Sequence, residues 1–422
     1  MRIPLILLLI TVIICPAIDI YIWSAIRRID GRPDTRLWAR RCQTAVSVVA
    51  YLLLVVGYLL PRTEGSAGLL AAKMWLLFSF ATVYMSKAVF VLIDLIGGLP
   101  RLFGASRWKP VSWVAAALAV ALFGGMWYGA LVNRFRTDIK SIEVGVANLP
   151  KSFDGFRVVQ ISDLHVGTFG SDTSFVARMV DEINALHPDM IVFTGDIVNR
   201  NSAELPPHVA PLSRLSAPKG VYAILGNHDY GDYYEWESPE AKNRNMDDLY
   251  RLFDRMGWTL LLNSTAIIRH GADSLALIGV ENIGDPPFPT YGSLEEAYPQ
   301  GVDGTAKILL SHNPAHWGDD ISDGKVDNDI GLTLSGHTHA MQIELLGLSP
   351  AVFRYPTWGG LYSDGLGRNL YVNIGAGTVG MPMRLGATPE ITLLTLHPTP
   401  TVRARPDGCD FITPLFFRPI FA

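Results

Sequence analysis

Four stretches of about 20 apolar residues crowd into the first third of the chain, at about 3–24, 43–60, 68–97 and 111–132. A run of that length crosses the hydrocarbon core as a helix, because lipid offers the backbone no hydrogen-bond partner but itself. A single soluble domain cannot absorb four of them. The first stretch starts on Arg2 like a secretory signal, but it is too long for a signal core. Pro16, Asp19, Tyr21 and Trp23 give no small-residue cleavage pattern. It reads as a retained helix. The third stretch carries Lys73, Lys87 and Asp94. Lys73 and Asp94 lie near its ends, where they can snorkel. Lys87 is interior, with Asp94 two turns on as its candidate partner. Gly125 and Gly129 fit close helix packing.

Charge divides at the same place. Residues 1–133 hold 13 Lys and Arg against five Asp and Glu, and residues 134–422 hold 22 against 34. The mean hydropathy of +0.24 is thus an average over a basic apolar front and an acidic back. That apolar content excludes disorder, and the acidic back excludes nucleic acid as a partner. Cys15, Cys42 and Cys409 form no C-x-x-C pair and no readable disulfide framework. The loops after the first and third stretches hold Arg27, Arg28, Arg32, Arg36, Arg40, Arg41, Arg101, Arg107 and Lys109. The opposite side holds Arg2, Arg62, Arg134, Arg136 and Lys140. Nine against five places the first and third loops in the cytoplasm, and both termini and the acidic back outside it. A multi-pass cell-membrane protein with an extracytoplasmic domain is the expectation.

From about residue 156 short apolar runs alternate with amphipathic ones. Strands are expected at 156–162, 189–194 and 221–225, and later at 265–269, 274–280, 306–311, 329–335, 370–374 and 391–396. A helix is expected from Ser171 or Asp172 to about Leu186, with Phe175, Val176, Met179, Val180 and Ile183 on its buried face. Another holds Leu212, and a short one lies at 294–298 in a Pro- and Gly-rich loop. Strands alternating with helices, then a strand-rich part, give a layered α/β fold. Residues 134–154 read as a linker and 399–422 as a tail that docks on the domain or touches the membrane.

The residues directly after the strands narrow the chemistry. The first strand leads into Asp163-Leu164-His165, the second into Gly195-Asp196, and the third into Gly226-Asn227-His228-Asp229. Two later ones lead into His312 and Gly336-His337-Thr338-His339. Ligands of α/β sheets gather at the carboxyl ends of strands, so five loops would bring these groups together. Carboxylate, amide and imidazole suit divalent Mn, Fe or Zn. Seven ligands, Asp163, His165, Asp196, Asn227, His312, His337 and His339, are too many for one ion and suit two sharing a carboxylate. One such dipeptide alone is a turn or a surface histidine; five in order, each after a strand, are not. Gly195 and Gly226 read as sharp turns that aim the next side chain inward.

These five blocks resemble the calcineurin-like metallophosphoesterase family, over about 155–398. Leu309–Pro314 and the segment from Met383 to Ile391 are similar to its membrane-associated bacterial branch. Ala340-Met341-Gln342 stands where that branch often has Gly-Gly-Gln, a change that spares the ligands and alters the substrate floor. The resemblance implies a four-layer αββα sandwich behind the helical transmembrane region. It also implies two divalent ions, one on Asp163, His165 and His339 and the other on Asn227, His312 and His337, with Asp196 bridging. In the family's chemistry a bridging hydroxide attacks phosphorus. His228 would act on the leaving group or transition state, with Asp229 fixing its tautomer.

The reaction class implied is phosphoester or phosphoanhydride hydrolysis. Four spans point to a lipid-linked substrate. The alternatives are a phosphatase of soluble nucleotides or phosphoproteins that uses the helices as a tether, and a non-catalytic metal-binding sensor or scaffold. Tyr230, Tyr233, Tyr234 and Trp236 read either as a wall for the leaving group or as loop packing, and Arg384 either as a phosphate contact or as a surface arginine.

Overall fold

A computed structural model describes residues 10–28, 32–60, 67–284, 289–299, 301, 304–322 and 329–399. The tail at 400–422 lies outside the described residues. The chain forms two compact units.

The first unit comprises Met1–Glu64, Leu69–Leu131 and Gly380–Met383. Its helices are α1 (Cys15–Ile26, entered through a π turn), α2 (Pro33–Leu59), α3 (Ala67–Ile96) and α4 (Pro110–Leu131). Three helical stretches here are long and apolar enough to cross a membrane, and the apolar helix Ile10–Ile26 is shorter. The first expected span therefore falls partly outside the described residues. Helix α2 starts at Pro33, so Arg36, Arg40 and Arg41 stand on its first turns and not in a loop.

Lys87 does not pair with Asp94. Its Nζ lies 2.9 Å from Asp19 on α1 and 2.8 Å from Ser47 Oγ on α2, and the Asp19 carboxylate also accepts from Tyr84 and Gln43. Seven residues of helix rise span about 10 Å, too far for a direct contact within α3, so neighbouring helices supply the partner. Asp94 does not snorkel either. It is buried, with Arg28 at 2.7 Å and Arg107 at 2.5 Å, and accepts from Tyr21 and Ser112.

The second unit holds two six-stranded sheets. In the first the spatial order is β1 (Asp138–Ala147), β12 (Glu390–Thr399), β2 (Phe156–Ile161), β3 (Met190–Phe193), β4 (Val221–Ala223) and β5 (Thr259–Leu260). In the second it is β10 (Gly360–Ser363), β11 (Asn369–Val372), β9 (Leu332–Ser335), β8 (Lys307–Leu310), β7 (Asp273–Gly279) and β6 (Ser264–His270). Strands β2 to β5 are parallel in one sheet and β7, β8, β9 and β11 in the other. An apolar layer fills the space between the sheets, with Val158, Val192, Leu277, Ile308, Leu334 and Leu394 among its members. Strands covered on both faces favour apolar runs, and β3, β8 and β9 are buried at every position, Lys307, Thr333 and Ser335 among their apolar residues.

Helices α5 (Ser174–Ala185), α6 (Pro206–Leu212) and α7 (Pro239–Met256) cover the outer face of the first sheet. The five residues expected on the inner face of α5 are its five buried ones. The short α8 (Leu294–Ala297) and the turn Trp317–Ser322 cover the second. These are the four layers expected.

Several elements depart from the sequence reading, among them the short strands β5 and β10, which have no expected counterpart. The stretch 134–154, expected as a linker, contains β1, paired in parallel with β12 along ten residues. Val144 and Val146 point into the core between the sheets, an alternation that identifies a strand. Helix α7 has no counterpart among the expected helices. Its first half is mostly polar, and its buried apolar residues, Leu249, Leu252, Phe253 and Met256, fall in the last two turns. The end signals are nevertheless present: Ser238 caps the Ala241 N–H, Pro239 opens the helix and Gly257 closes it at φ +74°.

Candidate metal centre

The five loops converge. Donor atoms of Asp163, His165, Asp196 and His339 lie within 4.8 Å of one another, and so do those of Asp196, His312 and His337. Asp196 belongs to both groups. Its Oδ2 lies 3.6 Å from His165 Nε2 and 3.3 Å from His312 Nε2. Asn227 joins the second group, with its Oδ1 2.9 Å from His337 Nδ1 and 3.2 Å from His312 Nε2. The seven residues read from sequence as ligands thus stand together, in two groups that share Asp196.

Topology explains the convergence. Asp163, Asp196 and Asn227 follow parallel neighbours β2, β3 and β4, and His312 and His337 follow parallel neighbours β8 and β9. Each loop must turn at once to aim its ligand, and the backbone shows the cost. Asp163, His165, Asp196, His337 and His339 all adopt left-handed φ, between 43° and 74°, at a cost of order 1 kcal/mol or more each. Gly195 makes its turn at φ +97°. Gly226 does not need a positive φ. A Cβ there would overlap the Asp196 carboxylate, so close approach, and not the turn, requires glycine.

Each imidazole is held from behind. His165 Nδ1 lies 3.1 Å from Val198 O, His312 Nδ1 2.7 Å from Thr194 O, and His337 Nε2 2.8 Å from the Tyr355 hydroxyl. Such outer partners fix which ring nitrogen faces the centre. The inward nitrogens then face one another, His165 and His339 at 3.0 Å and His312 and His337 at 3.2 Å. Burial alone would raise the Asp163 and Asp196 carboxyls, but the surrounding imidazoles outweigh it and hold both below the usual carboxylate range. Burial would lower His312 too, yet Asp196 and Asp163 lift it to about 9, while His337, buried beside it, falls to about 3. Buried carboxylates and like-facing imidazoles aimed at common points are a donor set that fits divalent cations.

The structure reassigns the groups around the ligands. Asp229 does not touch the His228 ring. Its carboxylate accepts four backbone N–H groups, from Asp196, Ile197, Val198 and Gly226, and so clips two ligand loops together. His228 is oriented instead by the Asn199 carbonyl, 2.7 Å from its Nδ1, and its ring stacks on Tyr233 at 4.3 Å. Of the four aromatics near this loop, Tyr233 stands at the site and also accepts from Asn227 Nδ2. Tyr230 is buried against Tyr291, and Tyr234 packs on Trp236.

Arg384 is neither a phosphate contact nor a surface residue. It is fully buried, donates to the carbonyls of Gly377, Ala387 and Ile374, and comes within 3.2 Å of His339 Nδ1. Gln342, in the segment that departs from the branch pattern, exchanges two hydrogen bonds with the Val379 backbone. Sequence reasoning misses Asn199 and Tyr355. A carbonyl partner leaves no trace in residue type, and Tyr355 lies outside every motif block.

Comparison with known proteins agrees. The family described as Calcineurin-like phosphoesterase matches residues 156–341, and the one described as Probable Calcineurin-like phosphoesterase, transmembrane domain, matches residues 1–134. The chain is 32% identical over 294 residues to the Uncharacterized metallophosphoesterase YkuE of Bacillus subtilis (strain 168), covering 67% of this chain and 94% of that protein. It is 29% identical over 401 residues to the Transmembrane protein with metallophosphoesterase domain of Danio rerio, covering 90% and 86%. Similarity of 29% over 238 residues extends to the UDP-2,3-diacylglucosamine pyrophosphatase LpxG of Chlamydia trachomatis, covering 47% of this chain and 68% of that one.

Proposed function

The chain belongs to the calcineurin-like metallophosphoesterases, and from that premise we propose that it is a membrane-anchored hydrolase of a lipid-linked phosphodiester or pyrophosphate. The observation that carries the reading is the convergence of seven candidate ligand side chains on two groups that share Asp196. Asp163, His165 and His339 would hold one divalent ion, Asn227, His312 and His337 a second, and Asp196 both. When bound, such a pair supplies Lewis acidity at the phosphoryl oxygens and a nucleophile at neutral pH.

The chain's own groups do the rest. With Nδ1 against the Asn199 carbonyl, His228 is set in one tautomer, and Nε2 is the atom that exchanges a proton with the leaving oxygen. Tyr233 stacks on that ring and limits its rotation. Asp229 acts as a positioning residue for the Asp196 and Asn227 loops. Arg384, its donors committed to carbonyls, braces the His339 ring from behind.

A substrate in the bilayer is supported by the membrane unit and by the lipid pyrophosphatase among the relatives. The expected topology places this domain outside the cytoplasm, with the first and third loops inside. Added protease should then digest it in intact spheroplasts; protection would reverse the orientation.

A lipid extract incubated with the wild type or with Asp196→Asn, and then compared by mass spectrometry, tests the reaction. The wild type should deplete one phospholipid class that the variant leaves untouched, and the variant should lose metal and at least about 10³-fold in rate on bis-p-nitrophenyl phosphate. Turnover of soluble phosphoesters with an unchanged lipid profile would favour the soluble-phosphatase alternative.

A further inference from the structure

The membrane unit has a charged locus of its own. Asp94, near the end of α3, is fully buried and is reached by two guanidiniums, Arg28 from the segment after α1 and Arg107 from the segment before α4. Arg107 also donates to the Asp94 carbonyl. One carboxylate thus holds two cations, and the group keeps a net positive charge. A cavity of about 400 Å³ opens on it. Arg101 and Lys109, both exposed, complete its polar side, so four cations and one carboxylate line the cavity. Its other wall is apolar, built from Ile22, Ile26, Phe90 and Trp113.

Each feature selects among ligands. An excess of positive charge beside a low-dielectric wall calls for an anion. Guanidiniums carry five donors each in a planar fork suited to phosphate, and Asp94 uses only part of that capacity. The apolar wall excludes a purely hydrophilic anion as the best fit, because half the cavity would then bury no matching surface. Trp108 and Trp113 are largely exposed on the same segment, as aromatics are at the headgroup level of a bilayer. Basic pockets between helices are known to take anionic headgroups.

We propose that this cavity binds the phosphodiester headgroup of an anionic phospholipid, with its glycerol and first acyl carbons against Ile22, Phe90 and Trp113. Asp94 is the fixed anchor that spreads Arg28 and Arg107 across the cavity, and Arg101 and Lys109 close on the phosphate from outside. The site lies within the membrane unit and stands whether or not the hydrolysis of a lipid substrate holds.

The test uses the full chain in zwitterionic detergent, titrated with short-chain phosphatidylglycerol, phosphatidylcholine or inorganic phosphate and read by native mass spectrometry. Phosphatidylglycerol should bind at least tenfold tighter than phosphatidylcholine. Arg101→Gln with Lys109→Gln should weaken phosphatidylglycerol alone by roughly tenfold to thirtyfold, with an unchanged thermal midpoint. Equal binding of the two lipids by the wild type would overturn the proposal, even if the double variant does not fold. Undiminished phosphatidylglycerol binding by a folded double variant would overturn it too. Displacement of the lipid by inorganic phosphate at equal concentration would overturn the lipid assignment in favour of a free anion.

Discussion

Both units of this protein bury charge, and they do so in opposite ways. In the membrane unit Lys87 meets Asp19 across two helices, and Asp94 meets Arg28 and Arg107 from the segments that flank helices. Carboxylate faces cation directly, as a low-dielectric surround demands. In the other unit the buried carboxylates face imidazoles, imidazoles face one another, and five ligand residues sit in left-handed backbone. The Lys87–Asp19 pair is self-compensated, one cation to one carboxylate, while the Asp94 group carries cations in excess. The candidate ligand donors are not compensated, and backbone strain keeps them aimed at common points. A balanced pair such as Lys87–Asp19 is therefore a structural joint, whereas a convergence of like charges or like donors, whether of imidazoles on strained loops or of guanidiniums around Asp94, calls for a ligand.

Breaking each arrangement should give a different signature. The largest effect belongs to His228→Ala, which should lower phosphodiesterase turnover by about 10²–10⁴-fold while the metal content by elemental analysis is unchanged. Its neighbour should behave in reverse. Asp229→Asn puts an amide N–H₂ against backbone donors and should lose metal together with about 2 kcal/mol of stability. If Asp229→Asn kept full metal and lost only turnover, the positioning role assigned to it would be wrong.

Lys87→Met should destabilise the chain in detergent by about 1–3 kcal/mol, because the half-buried Asp19 is left without its cation. Adding Asp19→Asn should recover much of that loss, and no recovery in thermal unfolding would mean the pair is not the joint it looks to be. The smallest effect concerns His316, which is outside the ligand set and is buried against Ser311. Burial depresses its pKa to about 4, so the folded state favours the neutral ring. Its contribution to stability is complete above about pH 6.5, the unfolded value, and is lost as pH falls toward 4. His316→Gln should flatten the fall in unfolding free energy across that window, its slope changing by up to one proton, as read from thermal unfolding at several pH values.

Much of this is legible in the chain. The apolar spans, the strands β2, β3, β8 and β9 and the buried face of α5 can be read because burial on both faces or on one stripe imposes a period on residue type. The seven candidate ligands can be read because each follows its strand at once, where parallel topology must deliver it. Strand β1 escapes the reading although its alternation is present, and α7 does because its apolar residues gather at one end. Lys87 illustrates a different limit. A charge inside a span announces that it needs a partner, but which helix provides it depends on packing.

The sequence by itself determined a membrane-embedded front, a layered α/β back and the identity of the candidate metal-ligand side chains, since hydrophobic period and residue chemistry are local properties. Only the tertiary structure decided who orients whom. It gave His228 to the Asn199 carbonyl, set Asp229 to clipping loops, buried Arg384 behind His339, and paired Lys87 with Asp19. The reason is physical: backbone carbonyls, and the N–H groups of every residue but proline, are alike, so the partners they become depend on where the fold carries them and not on the letters that encode it.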